Sequence, residues 1–319
     1  MKEKTYCVTG ATGYIGSWLV KSLLQRGYRV HATLRNPEKA SHLFERWHGR
    51  DSRLSLFRAD LQEDGSFDDA VRGCDGVFHV AASMELGVPA VQDLDSYIKT
   101  ELTDPAIRGT LNVLKACLKS NITRVVFTSS ISTLTAKDTS GGWLPIVDES
   151  CQTPIQQVLK SKASGWVYVL SKLLTEEAAF DFAEKNGIDL ISVITTTVGG
   201  SFLTPTVPIS IQVLLSPVTG DDKMLSILAS VSSRMGSIAL VHIEDICSAH
   251  IFLMEHPNAE GRYICCTQSC LMLESMERES IPSEISSKKI RDIGFEFKYS
   301  IQDIIHQTVR RCVDYGFLS

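Results

Sequence analysis

The stretch TGATGYIG, residues 9–16, places three glycines between an apolar segment and a helical one. The residues before it, TYCVT, have the pattern of a short buried strand, and residues 14–27 carry apolar side chains at helical spacing and stop at Gly27. In such a unit Gly10 permits a tight turn, Gly13 lets a pyrophosphate approach the backbone, and Gly16 lets the helix pack on the strand. The stretch therefore predicts a dinucleotide site at the amino end of the helix.

Strand and helix patterns continue to alternate through the first two thirds of the chain. Further strands are expected at 28–34, 53–60, 76–83, 123–130 and 188–195. Long helices are expected from Pro105 onwards and over 164–187. Because the strands are almost continuously apolar, they predict a parallel sheet that is covered on both faces. The predicted fold is α/β, a Rossmann-type doubly wound parallel sheet with a smaller C-terminal substrate lobe.

The pattern changes after residue 198, where prolines interrupt an apolar segment. We expect residues 1–197 with 236–258 to form an NADP-binding Rossmann domain. Residues 198–235 with 259–319 are expected to form the smaller substrate-binding lobe, which closes with one amphipathic helix.

Composition excludes several classes of function. The formal net charge of −5 argues against a nucleic-acid partner and against a polybasic membrane surface. No apolar run reaches the roughly 18 residues of a membrane span, and a strand begins too close to Met1 to leave room for a signal peptide. The nine cysteines are odd in number and mostly lie in apolar runs, so we expect buried reduced thiols, no metal site and a cytoplasmic location.

The end of the second strand indicates which cofactor is bound. NAD-binding sheets usually present an acidic residue there, which bonds the ribose hydroxyls. This chain presents Arg35, with Lys39 four residues later. Because a cation attracts a 2′-phosphate, the sequence predicts NADP.

The segment GWVYVLSK places Tyr168 four residues before Lys172, so that both lie on one helix face. Such a pair is frequent by chance, but this one follows the glycine turn and also Ser130, at the end of the fifth strand. A nearby ammonium would lower the pKa of the phenol towards neutrality, and a serine would orient a carbonyl. The order predicts a proton donor for a group that receives hydride, with Lys172 also holding the ribose.

TGATGYIGSWLV, ADLQEDGSFDDAVRGCDGVFHVA, VVFTSS and GFEFKYS resemble the extended short-chain dehydrogenase/reductase family, in particular its plant dihydroflavonol reductase and anthocyanidin reductase group. The resemblance implies an NADPH-dependent reductase of polyphenolic, flavonoid-like substrates, with Ser130, Tyr168 and Lys172 as the catalytic triad. The implied substrate contacts are Met84, Ser130, Thr135 and Tyr168. The implied cofactor contacts are Gly10, Thr12, Gly13, Tyr14, Ile15, Gly16, Arg35, Lys39, Asp60, Leu61, Val80, Ala81, Ala82, Ser129, Tyr168, Lys172, Thr195, Thr197 and Val198.

Within this group the pattern is nearer to anthocyanidin reductases, because Gly200-Ser201 stands where dihydroflavonol reductases usually carry Gly-Pro and Thr135 where they carry asparagine or aspartate. Dihydroflavonol 4-reductase, a carbonyl reductase of another phenolic or terpenoid ketone, and a catalytically impaired NADP-binding protein stay open as alternatives. The protein is expected to be a monomer or weak dimer.

Two departures from the family pattern concern the substrate side of the site. Thr195 replaces a usual proline, and the stretch 271–289 is shorter than in relatives. Two further features are expected to be structural: His79, as a strand histidine, and Asp148-Glu149, as surface loop charges.

Overall fold

The main sheet is parallel and seven-stranded. The structure is a computed structural model that describes residues 3–36, 52–82, 92–138, 140–270 and 283–318. In chain order the strands are β1 (Thr5–Thr9), β2 (Arg29–Leu34), β3 (Leu54–Arg58), β4 (Gly76–His79), β5 (Arg124–Ser130), β6 (Ile146–Val147), β7 (Asp189–Thr195), β8 (Thr197–Gly199), β9 (Ile238–His242), β10 (Gly261–Cys265), β11 (Gln268–Cys270) and β12 (Glu284–Ile285). The main sheet has the order β10-β7-β5-β4-β1-β2-β3.

Helices cover both faces of this sheet. In chain order they are α1 (Tyr14–Gln25), α2 (Asp68–Val71), α3 (Leu94–Tyr97), α4 (Asp104–Lys119), α5 (Ile155–Ser161), α6 (Trp166–Asn186), α7 (Ile209–Thr219), α8 (Asp222–Met235), α9 (Ile243–Glu255), α10 (Lys288–Asp292) and α11 (Ile301–Asp314). Helices α1 and α9 bury apolar side chains such as Leu19 and Ile246 in one core cluster, and α4 and α6 bury Val113 and Ala179 in another. The doubly wound parallel sheet is confirmed.

Glycines end the helix that carries the tyrosine–lysine pair. Helix α6 begins after Gly165 and ends before Gly187, whose φ angles are +77° and +66°. Only glycine adopts such angles without strain, so Gly165 sets where the helix begins and Gly187 sets where it ends, as the sequence predicted. Helix α6 then feeds directly into β7, whose register with β5 sets Thr195 opposite Ser130.

The smaller lobe contains its own sheet, in which β9 pairs with β8 in parallel and with β11 in antiparallel orientation. Two boundaries expected from the sequence are corrected. Strand β10, expected in the smaller lobe, pairs with β7 and forms an edge of the main sheet. Strand β9, expected in the cofactor domain, belongs to the smaller sheet. Strand membership differs from the prediction because it depends on partners that lie far away in the sequence.

The thiols and the helix lengths agree with the composition. All nine cysteines are free, and six of them are buried, which confirms the expected buried thiols. None of the helices in the described part of the chain combines the length and hydrophobicity that crossing a bilayer requires.

Candidate active site

The glycine turn has the close contacts that the sequence predicted. Gly10 has a φ angle of +67°, and a Cβ atom there would lie 2.8 Å from the Cα of Ala81, at the end of β4. A Cβ at Gly16 would lie 2.1 Å from the carbonyl oxygen of Gly10. Any side chain at either position would collide with backbone, so the tight turn and the close helix–strand packing are confirmed.

The amino end of α1 offers free backbone donors. Its N-cap, Gly13, has no side chain to cap the first N–H groups, and the first turn contains no acidic residue. Thr12 and Gly13 are exposed, and Tyr14 and Ile15 are half-buried. Since unpaired N–H groups and the helix dipole both favour an anion, this end of α1 fits a pyrophosphate.

A buried hydrogen-bond chain fixes the strand end opposite this turn. The hydroxyl oxygen of Thr9 accepts from the backbone N–H of Val80 at 3.1 Å and of Ala81 at 3.0 Å. The same hydroxyl lies 2.9 Å from Nδ1 of His79, whose Nε2 lies 3.0 Å from the hydroxyl of Thr110. Burial lowers the pKa of His79 to about 3, so the ring stays neutral. The structural role expected for His79 is confirmed.

The other expected cofactor residues lie at strand ends along the same edge of the sheet. Arg35 is exposed directly after β2, and Lys39 lies outside the described residues. Asp60 and Leu61 follow β3, where the Leu61 carbonyl accepts from the Asn112 amide at 3.0 Å. Ala82 is exposed after β4. The described members of the set converge on one edge, which agrees with the position of ligands in parallel sheets.

Ser130 and Tyr168 lie together at the end of β5. The Ser130 hydroxyl oxygen accepts from the backbone N–H of Ser132 at 3.2 Å, which leaves its proton free to donate. Burial raises the pKa of the nearby Tyr168 phenol above its ordinary value, although the Ser130 hydroxyl and the charge of Arg234 act in the opposite direction. The phenol therefore keeps its proton at neutral pH.

Lys172 lies one helical turn after Tyr168 and is 7% exposed. Its Nζ donates to the carbonyl oxygen of Thr128 at 3.1 Å. Burial lowers its pKa to about 8, and the nearby Glu176 opposes this shift. The expected lowering of the phenol pKa by Lys172 is not found, because burial dominates at Tyr168 and the cation that acts on the phenol is Arg234.

A buried ion pair joins α6 to β10. The Glu176 carboxylate lies 3.0 Å from Arg262 of β10, and both side chains are largely buried. Arg262 also donates to the Glu149 carbonyl at 2.8 Å, and the Glu149 carboxylate accepts from the Ile264 N–H at 2.8 Å. Glu149 is therefore half-buried and structural, which corrects its interpretation as a surface charge. Burial raises its pKa.

The remaining described residues of the expected set lie at the end of β7, in β8 and after β5. The Thr195 hydroxyl donates to the Ser129 carbonyl at 3.1 Å, so this substitute for proline ties β7 to β5. Thr197 and Val198 follow in β8, and Val198 is buried. Thr135 is buried, and its hydroxyl accepts from the Lys137 N–H at 3.2 Å. Met84 lies outside the described residues.

A cavity of about 430 Å³ lies between α5, the start of α6 and the end of α8. It is lined by Trp166 and Val169, which lie two residues before and one residue after Tyr168 in α6, and by Arg234 in the last turn of α8. The sequence analysis missed Arg234, because the segment SSRMG carries no motif and only the tertiary structure brings it near the phenol.

Comparison with known proteins places these features in context. The model of the NAD dependent epimerase/dehydratase family matches residues 6–265. The "Putative anthocyanidin reductase" of Ginkgo biloba is 44% identical to this chain over 337 positions, which cover 99% of the chain and 96% of that protein. Dihydroflavonol 4-reductase of Arabidopsis thaliana is 39% identical, with coverage of 99% and 84%.

Among solved structures, vestitone reductase from alfalfa, Medicago sativa, is similar with a TM-score of 0.80 and 30% identity, covering 99% of this chain and 100% of that one. The 337 positions aligned with the Ginkgo protein exceed the 319 residues of this chain. That relative therefore has residues without a counterpart here.

Proposed function

The chain belongs to the NAD-dependent epimerase/dehydratase family, and on this premise we propose that it is an NADPH-dependent reductase of a flavonoid-type phenol, which converts an anthocyanidin to a flavan-3-ol. It is an oxidoreductase of the extended short-chain dehydrogenase/reductase type. The observation that carries the proposal is the proximity of Ser130 and Tyr168 at the carboxyl end of the main sheet, on the same edge as the glycine turn.

The residues at this edge fit a dinucleotide. The turn at Gly10 and Gly16 leaves room for no side chain, and the uncapped amino end of α1 suits phosphate. The cation of Arg35 suits a 2′-phosphate better than bare ribose hydroxyls. When bound, NADPH supplies the hydride.

The protein side chains supply the proton and the orientation. Because burial raises its pKa, Tyr168 is a protonated phenol at neutral pH and acts as the acid. Ser130 orients the oxygen or ring that accepts this proton. One N–H of the Lys172 ammonium donates to the Thr128 carbonyl, and its other two N–H groups remain to donate to the ribose hydroxyls.

Dihydroflavonol reduction is the second candidate, and the 39% identity with the Arabidopsis thaliana enzyme favours it. The two reactions differ in their electron balance. Reduction of an anthocyanidin cation to a flavan-3-ol takes two hydrides and one proton, whereas reduction of a dihydroflavonol carbonyl takes one hydride and one proton. The ratio of NADPH consumed to product formed therefore separates them.

The test is to incubate the purified protein with NADPH and, separately, an anthocyanidin or a dihydroflavonol, and to quantify cofactor and product. We expect two NADPH consumed per flavan-3-ol with the anthocyanidin and slower consumption with the dihydroflavonol. Consumption with the dihydroflavonol alone would establish the second candidate. Tight NADPH binding without consumption of either substrate would indicate an impaired enzyme.

We further propose that residues 198–242, 266–270 and 283–318 provide the substrate side of the site. The nine free thiols favour a reducing location such as the cytoplasm.

A further inference from the structure

Arg234 is a cation that the protein itself leaves unpaired. Its side chain is half-buried, and its Nε is fully buried without a hydrogen-bond partner. In the described ranges its guanidinium takes part in no side-chain hydrogen bond and no ion pair, although its backbone carbonyl accepts from the Ala136 N–H at 3.3 Å. The buried Nε donor therefore gains a hydrogen bond only if a ligand supplies an acceptor.

The charged side chains that line the cavity at Arg234 are all positive. Its lining includes two cations, Arg234 and Lys137, and no aspartate or glutamate. The Nζ of Lys137 lies 5.0 Å from the centre of the Trp143 ring, which holds the ammonium near the lining. Gln157 and Thr153 add neutral polar groups, while Trp166 and Val169 supply apolar surface. Such a lining fits a planar apolar ligand that presents an electron-rich oxygen.

Arg234, which lines the cavity, interacts electrostatically with the phenol of Tyr168. The charge of Arg234 favours the ionised form of Tyr168, and the phenol in turn favours the charged form of Arg234. Trp166 and Val169, two residues before and one residue after Tyr168 in α6, line the cavity together with Arg234. Arg234 thus both lines the cavity and acts on the phenol, so a substrate at Tyr168 that reaches Arg234 would extend one ring into the cavity.

We propose that Arg234 binds an acidic phenolic hydroxyl of the substrate, so that the enzyme selects planar phenols in which this hydroxyl is free over those in which it is masked. This inference rests on the proposed function and narrows its substrate class. Arg234 then touches the substrate directly and contributes to binding. A planar guanidinium also fits better than an ammonium, because it stacks on aromatic surface and donates in a fixed plane.

The test compares a flavonoid that has free hydroxyls with its fully O-methylated analogue. Equilibrium binding of both to the NADP⁺-loaded protein is measured for the wild type, Arg234→Gln, Arg234→Lys and Lys223→Gln. Lys223 is exposed near the start of the same helix and does not line the cavity, so Lys223→Gln is the matched loss of one cation. Turnover with NADPH is recorded separately, so binding is informative even if no flavonoid is reduced.

We expect Arg234→Gln to weaken binding of the free phenol about ten- to hundredfold, the range of one hydrogen bond to a charged group, with KM rising in parallel. The methylated analogue should bind weakly to the wild type and lose nothing further. Arg234→Lys should restore part of the affinity, and Lys223→Gln should change nothing. If Arg234→Gln does not fold, equal wild-type affinity for both compounds overturns the proposal.

Two other results would also overturn it. An equal loss for the phenol and its methyl ether would mean that Arg234 only shapes the cavity. A fall in kcat with unchanged KM, together with a shift of the pH profile, would mean that Arg234 acts through Tyr168 and does not bind substrate.

Discussion

The proposed cofactor side of the site, taken at the end of β4, and its proposed substrate side, taken at Arg234, differ in how the polar side chains there are paired. On the cofactor side, the Thr9 hydroxyl joins two backbone N–H groups to the His79 ring, and the ring continues to Thr110. On the substrate side, Arg234 Nε is buried without a hydrogen-bond partner.

This difference separates two tasks. Internal pairing fixes the shape of a cradle before any ligand arrives, and a dinucleotide with a constant shape needs such a cradle. Unpaired buried polar groups gain free energy only from a ligand that reaches them, so they can discriminate between ligands. The hydrogen-bonded end of β4 is therefore suited to positioning a ligand, and Arg234 to discriminating between ligands.

Tyr168→Phe is the strongest test that the two sides act separately. Removing one hydroxyl removes the acid, so kcat should fall by about 10² to 10⁴, the usual contribution of general acid–base catalysis. The NADPH dissociation constant should change little, because the cradle is untouched. Both quantities follow from steady-state kinetics and calorimetric titration, and a variant that keeps most of the wild-type rate would remove Tyr168 from the mechanism.

Gly10→Ala attacks the cofactor side. Alanine at a φ of +67° costs about 1–2 kcal/mol, and the new Cβ would press on Ala81. Gly73→Ala is the matched control, because Gly73 has a φ of +74° and no atom within 4 Å of such a Cβ. We expect Gly10→Ala to be less stable than Gly73→Ala by a further 1–3 kcal/mol or so in denaturant unfolding, and to lose NADPH binding. Equal destabilisation would show that the contact with Ala81 relaxes freely.

Lys172→Met tests the lowered pKa of Lys172 through the pH dependence of protein stability. Since burial lowers the pKa of Lys172 from 10.5 to about 8, the unfolded chain holds this proton more tightly than the folded one. The resulting penalty is complete below pH 8 and disappears as the pH rises towards 10.5. The stability of the wild type relative to Lys172→Met should therefore rise across this window, by about 3 kcal/mol.

Denaturant unfolding of both proteins between pH 7 and about 10.5 measures this difference. Methionine does not titrate, so the variant provides the reference for the wild type at each pH. A stability difference that stays flat with pH would mean that solvent reaches the ammonium in the folded state.

Arg35→Asp tests whether the cofactor side distinguishes NADPH from NADH. Loss of one charge-assisted contact to the 2′-phosphate, and repulsion by the new carboxylate, should weaken NADPH binding about ten- to hundredfold. NADH binding should change much less, and Arg35→Gln should lie between the wild type and Arg35→Asp. Equal losses for both cofactors would count against recognition of the phosphate by Arg35.

Local patterns were sufficient for most elements of the main sheet. Strands β1 to β5 and β7 and helices α1 and α6 lie within a few residues of their predicted positions, because buried parallel strands are short apolar runs and glycines stop these helices. The two-residue strand β6 was not predicted. The glycines of residues 9–16 and the order of Ser130, Tyr168 and Lys172 were likewise visible in the sequence.

Strand β10 and Arg234 show where such patterns fail. Residues 261–265 have a short apolar pattern that would suit either sheet, and only the pairing with β7 assigns them to the main one. Glu149 looked like half of an exposed acidic pair until its bond to Ile264 placed it at β10. Each of these assignments depends on a partner that is distant in the chain.

The sequence by itself determined the α/β fold, the dinucleotide turn and the serine, tyrosine and lysine of the site, because these depend on spacing within single elements and on the shared edge of a parallel sheet. Only the tertiary structure decided which cation acts on the phenol. That cation is Arg234, which lies at the end of α8, while the ammonium of Lys172 donates to the Thr128 carbonyl. Electrostatic effects of this kind depend on distance and burial, and neither is encoded in a local pattern.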